Sequence, residues 1–139
     1  METKKEELAI LQRVDGKYNL ITANGKLLLE QWYEWIDDFY DGFALVEREN
    51  HQYNYINKEG KIISSEWFKW LDFFKDGFAR VQNFDDEFNY IDTKGKILSD
   101  EWFKYVDDFN DGFAVVQRTN GEYFKIDKQG KILLVSNQH

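Results

Sequence analysis

The side chains here that could do chemistry are carboxylates and aromatic rings, and both recur at a regular interval. Asp37, Asp38 and Asp41 form one acidic group, Asp72 and Asp76 a second, Asp107, Asp108 and Asp111 a third, with Asp85-Asp86-Glu87 as a separate run. A carboxylate pair can carry acid–base glycoside hydrolysis, but only when one acid of raised pKa faces another across a cleft. A ladder repeated along the chain offers the opposite of that asymmetry. Calcium chelation is a second use, and Asp37-Asp38-Phe39-Tyr40-Asp41-Gly42 has the acidic start and the glycine of a chelating loop. Its third position is Phe39, and Arg48 stands where the closing glutamate belongs, so the ligand set fails. The remaining reading makes the aspartates beside glycine turn formers and leaves the others solvated. The spacing favours it.

Other reactive types are scarce. The chain has no cysteine, which excludes disulfides, thiolate nucleophiles and cysteine–metal sites. Its two histidines are His51, inside a predicted turn, and His139, the last residue. Neither is repeated and neither neighbours a serine on a nucleophile elbow; without cysteine they cannot assemble the usual zinc sets. Gly42, Gly77 and Gly112 lack the clustering and the lysine of a phosphate loop and are read as backbone turns. No enzyme, cofactor or metal is expected.

Composition narrows the partner. At 139 residues the chain has the length of one domain, and 18% aromatic content supplies a core despite a mean hydropathy of -0.67. Residues 1–6 read as a flexible head, 7–135 as a single repeat domain and 136–139 as a polar tail. No apolar run reaches membrane-spanning length and the start lacks a secretory signal, so a cytoplasmic protein is expected. The net charge of -8 repels phosphate backbones and suits a partner with a basic surface, while also keeping an aromatic-rich chain soluble.

The elements that must position these groups are internal repeats. Gly25, Gly60, Gly95 and Gly130 lie 35 residues apart, as do Trp32, Trp67 and Trp102. Residues 42–76 and 77–111 share 18 identities in 35 positions, where unrelated sequence gives roughly two. The pattern begins near residue 7, with Leu8-Ala9 in phase with Phe43-Ala44, and its last copy stops at Ile132-Leu133-Leu134. Within a copy, an alternating stretch such as Phe43 to Arg48 is followed by a turn and by Tyr53-Asn54-Tyr55-Ile56. Asp15-Gly16, Asp85-Asp86 and Asn120-Gly121 fill the turn elsewhere and predict hairpins. A short strand at Lys61-Ile62-Ile63 makes three antiparallel strands per copy. The connector is ambiguous: Trp67, Trp70, Leu71 and Phe74 have helical spacing, yet an irregular aromatic-anchored loop fits equally. The fold class is therefore mainly β: tandem 35-residue repeats of short antiparallel strands, joined by short helical turns or loops, stacked as a β-solenoid or propeller-like array.

The string Asp-Phe-x-Asp-Gly-Phe-Ala-x-Val, followed by a strand ending Tyr-Ile-Asp/Asn-x-x-Gly-Lys-Ile, resembles the WG repeat family over roughly residues 7–135. The Trp-Gly pair of that family is replaced here by Tyr18-Asn19, Tyr53-Asn54, Phe88-Asn89 and Tyr123-Phe124. The resemblance implies a β-rich repeat array with no shared catalytic residues.

Trp32, Trp67 and Trp102 are expected in the core, since one small repeat cannot bury its apolar face alone. Trp35, Trp70 and Tyr105 either join them, as general burial tendencies favour, or line a groove as binding hot spots. The function expected is a non-enzymatic protein–protein interaction module, as a monomer or a homodimer paired through end strands. Its candidate contact residues are Trp35, Trp70 and Tyr105 with Asp37, Asp38, Asp72, Asp85, Asp86, Glu87, Asp107 and Asp108. A sharper alternative is a small acidic inhibitor of a basic nucleic-acid-binding protein, in the manner of phage anti-CRISPR proteins. Carbohydrate binding on aromatic platforms comes third.

Overall fold

Alternating small and branched residues followed by a turn that tolerates positive φ build one hairpin per copy. The structure, a computed structural model, describes residues 7–133; the expected head at 1–6, Leu134 and Val135 at the end of the last copy, and the tail at 136–139 with His139 lie outside them. Four hairpins form: β1 (Leu8–Gln12) with β2 (Tyr18–Thr22), β4 (Phe43–Arg48) with β5 (Gln52–Asn57), β7 (Phe78–Gln82) with β8 (Phe88–Asp92), and β10 (Phe113–Gln117) with β11 (Tyr123–Asp127). Asn50 and His51 adopt φ of 68° and 56°, so His51 occupies the turn assigned to it, with Nδ1 2.8 Å from the Glu47 carboxylate.

The aspartates beside glycine are turn formers. Asp41, Asp76 and Asp111 adopt φ of 57°, 54° and 55°, each followed by a glycine near 90°. Around the first of these, Tyr40 and Phe43 exchange both backbone hydrogen bonds at 2.8 and 3.1 Å, closing a two-residue turn into β4. A second turn follows each hairpin. There the Asp92 carboxylate accepts from the amides of Lys94 and Lys96, both at 2.9 Å, and Asn57 and Asp127 repeat the arrangement. This is the physical content of the Asp/Asn-x-x-Gly-Lys motif: one side-chain oxygen holds the loop while glycine takes the left-handed residue.

The connectors contain no helical turn. Each carries a two-residue strand, β3 (Trp35–Ile36), β6 (Trp70–Leu71) and β9 (Tyr105–Val106), which pairs antiparallel with the first strand of the following hairpin. Two residues earlier the same connector pairs backward: Tyr33 exchanges hydrogen bonds with Tyr18, and Phe103 with Phe88, at 2.7–2.9 Å. Within each compact unit the connector thus joins consecutive hairpins edge to edge. Helical spacing of Trp67, Trp70, Leu71 and Phe74 was misleading because backbone pairing with β7 outweighs the weak propensity of a short segment. The expected third strand is a single bridge in most copies (Ile56 to Ile62, Ile91 to Ile97) and a two-residue strand, β12 (Ile132–Leu133), in the last.

Contacts divide the chain into two compact units, Met1–Ile63 and Ser64–His139. In the second, Tyr90, Phe103, Val106, Phe109, Ala114, Val116 and Ile126 form a buried cluster, with Phe78 stacked on Phe109 at 4.8 Å. The first contributes Leu20, Tyr33, Ile36, Ala44, Val46, Tyr55 and Ile56 to the buried set. The core expectation for Trp32, Trp67 and Trp102 is corrected by one residue. These three are half-buried, and the next ring, Tyr33, Phe68 or Phe103, lies in the core at 6%, 1% and 0% exposure.

Asn19, Asn54 and Asn89, the second members of the pairs that replace Trp-Gly, are fully buried. Asn89 donates to the carbonyls of Ser99 (2.8 Å) and Glu101 (3.2 Å) and accepts from the amides of Tyr90 (2.8 Å) and Ser99 (3.3 Å). Asn19 brackets Leu29 in the same way. The side chain fastens the start of the connector to the hairpin it leaves.

Candidate binding surface

Strand register puts a repeated row of side chains on the face of each sheet opposite Ala44, Val46 and their equivalents. Glu47 stands between Trp35 and Tyr53, Gln82 between Trp70 and Phe88, and Gln117 between Tyr105 and Tyr123. Gln12 opposite Tyr18 begins the same row on the first hairpin. Because side chains of directly paired residues lie side by side, each row is an aromatic–amide (or carboxylate)–aromatic triad. Edge contacts extend the rows. Tyr18 meets Trp35 at 5.2 Å in the first unit, and Phe88 meets Trp70 at 6.1 Å and Tyr105 at 6.3 Å in the second.

The outer rings of these rows face solvent. Trp35, Trp70 and Tyr105 are 44%, 38% and 45% exposed, so the expectation that they join the core is overturned: they lie at the surface. The reason is the two-residue strand: its residues alternate, so Ile36, Leu71 and Val106 point inward and the ring before each points out. Sequence reasoning missed Glu47, Gln82, Gln117 and the rings across from them. A signal was present, since Gln or Glu stands six residues before an aromatic in every copy, at Gln12/Tyr18, Glu47/Tyr53, Gln82/Phe88 and Gln117/Tyr123.

The acidic candidates separate into distinct environments. Asp72 and Asp108 converge on Arg80: its Nη2 and Nε donate to Asp72 at 2.7 and 3.0 Å, Nε lies 3.3 Å from Asp108, and Nη1 reaches the Val106 carbonyl at 3.2 Å. The guanidinium sits 5.7 Å from the Trp70 ring centre. These two carboxylates are therefore neutralised internally, and Lys75 adds a second cation beside Asp108 at 3.6 Å. In the run Asp85-Asp86-Glu87, Asp86 pairs with Lys69 and Glu87 accepts from the Asn83 amide at 3.3 Å, while the Asn83 side chain holds the backbone of Asp85 and Glu87. That run is a hairpin turn whose charge is partly balanced. Asp107 turns its carboxylate to the Asp108 amide at 3.1 Å. In the first unit Leu45 replaces Arg80, and among the described residues no ion pair holds Asp37 or Asp38.

Two groups are held away from their ordinary titration ranges, Asp15 in an exposed turn and Tyr90 in the core. Arg13 holds the Asp15 carboxyl at about 2 through a two-bond pair at 2.6 and 3.0 Å. Burial, and then repulsion from Asp107, pushes the Tyr90 phenol far above its usual range, and its hydroxyl donates to the Asp107 carbonyl. A folded-state pKa above the unfolded value of about 10 means stability present below pH 10 and lost as pH rises beyond it. Tyr90→Phe is expected to cost about 1 kcal/mol at pH 7, from the lost hydrogen bond. That deficit should shrink between pH 10 and 11, where only the wild-type chain has this phenol to ionise. Urea midpoints at pH 7 and 11 check it; a gap that widens with pH would refute the assignment.

Among the described residues no three His, Asp or Glu side chains converge as a metal site. An open depression of about 380 Å³, lined by Trp32, Glu34, Arg48 and Glu49 with Lys17 bridging the two glutamates at 3.5 and 3.4 Å, contains no nucleophile–base pair.

Hairpins joined by strand-forming connectors and repeated every 35 residues define a tandem-repeat β protein. The WG-containing repeat pattern matches residues 20–50, 55–85 and 90–123, and the chain belongs to that family. No curated protein sequence matches it. Among solved structures it is similar to the computationally designed Ika8 protein (14% identity, TM-score 0.45, covering 99% of this chain and 48% of that one). BamB from Moraxella catarrhalis (10%, 0.43, 91% and 47%) and the WD40 β-propeller domain of Doa1 (11%, 0.38, 91% and 50%) are further matches. The chain spans about half the length of these structures.

Proposed function

We propose that this chain is a non-enzymatic protein-interaction module that meets its partner through the aromatic rows. The observation that supports the reading is the exposure of Trp35, Trp70 and Tyr105 at equivalent positions of successive copies. Each is set by a backbone-paired strand, so the rings are pre-ordered and lose little freedom on binding. An amide or carboxylate between two rings adds a directional contact to an apolar one, the composition that dominates binding hot spots. The module works in the cytoplasm, as a monomer or homodimer, without direct nucleic-acid contact.

The test is affinity capture from native extract with the wild-type chain and a Trp70→Ala/Tyr105→Ala variant. Removing two hot-spot rings is expected to weaken capture by 100-fold or more, at about 2 kcal/mol for each ring. The same substitutions change surface positions and should leave the circular dichroism spectrum intact. Undiminished capture by the variant, or recovery of glycans in place of protein, would overturn the reading.

Asp37 and Asp38, beside Trp35 and without an internal cation, favour a partner with a basic surface, including a nucleic-acid-binding protein that the chain inhibits as anti-CRISPR proteins do. In that case Asp37→Lys/Asp38→Lys slows association and flattens its salt dependence.

A further inference from the structure

Gln12, Glu47, Gln82 and Gln117 hold the same place beside the aromatic rings of their hairpins, yet their side chains are not equally occupied. The amides of Gln12 and Gln117 donate to the Gly16 and Gly121 carbonyls, both at 3.3 Å, and the Glu47 carboxylate holds His51 at 2.8 Å. Gln82 differs. Asp86 stands where Gly16 and Gly121 stand in their own turns, and its carboxylate pairs with Lys69. Among the described residues the Gln82 side chain has no hydrogen-bond partner. No buried side-chain nitrogen or oxygen among them is left unmatched, so this free amide reaches solvent.

The surroundings of that amide, all inside the second compact unit, restrict what it can hold. Trp70 and Phe88 flank it with ring centres 6.1 Å apart and planes at 77°, and Tyr105 follows Phe88 at 6.3 Å and 68°. Strand addition is closed here, because β7 is paired on both sides and Phe88 exchanges hydrogen bonds with Phe103 at 2.7 and 2.9 Å. A ligand must be held by side chains alone, so its own backbone must need no partner. The polyproline II helix meets that condition: its carbonyls are solvated, and proline has no amide donor to leave unmatched. Two of its residues advance about 6.2 Å, the spacing of successive rings in this row. The turn at 83–87, which joins Gln82 to Phe88, supplies charge. Among the described residues Asp85 and Glu87 have no ion pair, and they favour a cation at this end of the row.

We infer that Trp70, Gln82, Phe88 and Tyr105 form the seat for a proline-rich segment of a partner protein, bound as a polyproline II helix with a basic residue at one end. The inference rests on the interaction surface proposed above and names the partner's chemistry there. Proline rings pack into the angles between successive aromatic rings, and the Gln82 amide donates to one of the segment's free carbonyls. Asp85 and Glu87 take the basic residue through charge-assisted hydrogen bonds. Both sides are stiff before they meet, since the rings sit on paired strands and the segment is already extended, so little freedom is lost.

The probe is a labelled, acetylated peptide, Arg-Pro-Pro-Pro-Pro-Pro-Pro-Pro-Pro, titrated into the full chain and followed by fluorescence anisotropy. Saturable binding is expected, with a shift of the Gln82 side-chain amide signals in the NMR spectrum. Gln82→Met keeps the length of the side chain, removes the donor and should weaken binding about tenfold. Gln117→Met should leave affinity unchanged, because that amide is already engaged. Glycine at alternate positions of the peptide loosens the polyproline II helix and should weaken binding. Asp85→Lys/Glu87→Lys should erase the preference for this peptide over one with glutamate in place of arginine. The inference is overturned by no saturation at millimolar peptide, by equal affinity of Gln82→Met, or by equal binding of the glycine-substituted peptide. Peptide affinity that survives Trp70→Ala/Tyr105→Ala would also sink it, by placing the peptide elsewhere. Loss of protein capture in that variant, with no peptide binding by the wild-type chain, would refute the proline-rich partner and leave the interaction surface standing.

Discussion

Replacing Phe103 with alanine is expected to cost about 4 kcal/mol, the range for truncating a fully buried aromatic ring. Phe103 is at 0% exposure in a cluster with Tyr90, Val106, Phe109 and Val116. Its amide and carbonyl both pair with Phe88, so a collapse around the cavity would have to drag the backbone link between two hairpins. Surrounding atoms therefore relax little, and the cost falls at the upper part of the range. The adjacent Trp102 is the larger ring but only half-buried, and Trp102→Ala should cost about 1.5 kcal/mol from the area it shields. Denaturant midpoints of the two variants decide the point. A Trp102 variant as damaged as the Phe103 variant would mean that the core lies one residue earlier than described.

Asn89→Ala should cost about 3 kcal/mol although it removes only a small side chain. The change strips partners from the amides of Tyr90 and Ser99 and the carbonyls of Ser99 and Glu101 at a site with 0% exposure. Each buried group left unmatched costs about 1–3 kcal/mol, softened where water can enter. Asn89→Asp gives a more pointed check. It keeps the acceptor, loses the donor and buries a charge, so the aspartate's folded-state pKa rises above its unfolded value of about 4. Its carboxylic acid form is the tolerated one, and the variant should regain stability relative to wild type as pH falls toward 4. A variant whose deficit does not depend on pH would show that the bracket is not sealed from water.

These two residues also show how far the chain could be read in advance. Periodicity alone established the repeat, its 35-residue length, the hairpin turns at Asp15-Gly16, Asn50-His51 and Asn120-Gly121, and the turn-forming role of Asp41, Asp76 and Asp111. Those features are local: a left-handed residue next to glycine restricts its neighbours wherever it stands. The WG frame was legible as well, and the asparagine that replaces its glycine signalled divergence without revealing a purpose.

What the repeat left open was every property that depends on which strand lies beside which. Trp67, Trp70, Leu71 and Phe74 satisfy a helical period, and only pairing with β7 makes the segment a strand and turns Trp70 outward. The acidic ladder looked uniform along the chain, yet Arg80 neutralises Asp72 and Asp108 while Leu45 leaves Asp37 without that cation. Local sequence determined the hairpins because their hydrogen bonds close within a few residues. Tertiary structure decided the core ring and the exposed ring, because those follow from hydrogen bonds between the connector and its neighbouring strands, some 8 to 15 residues apart in the chain.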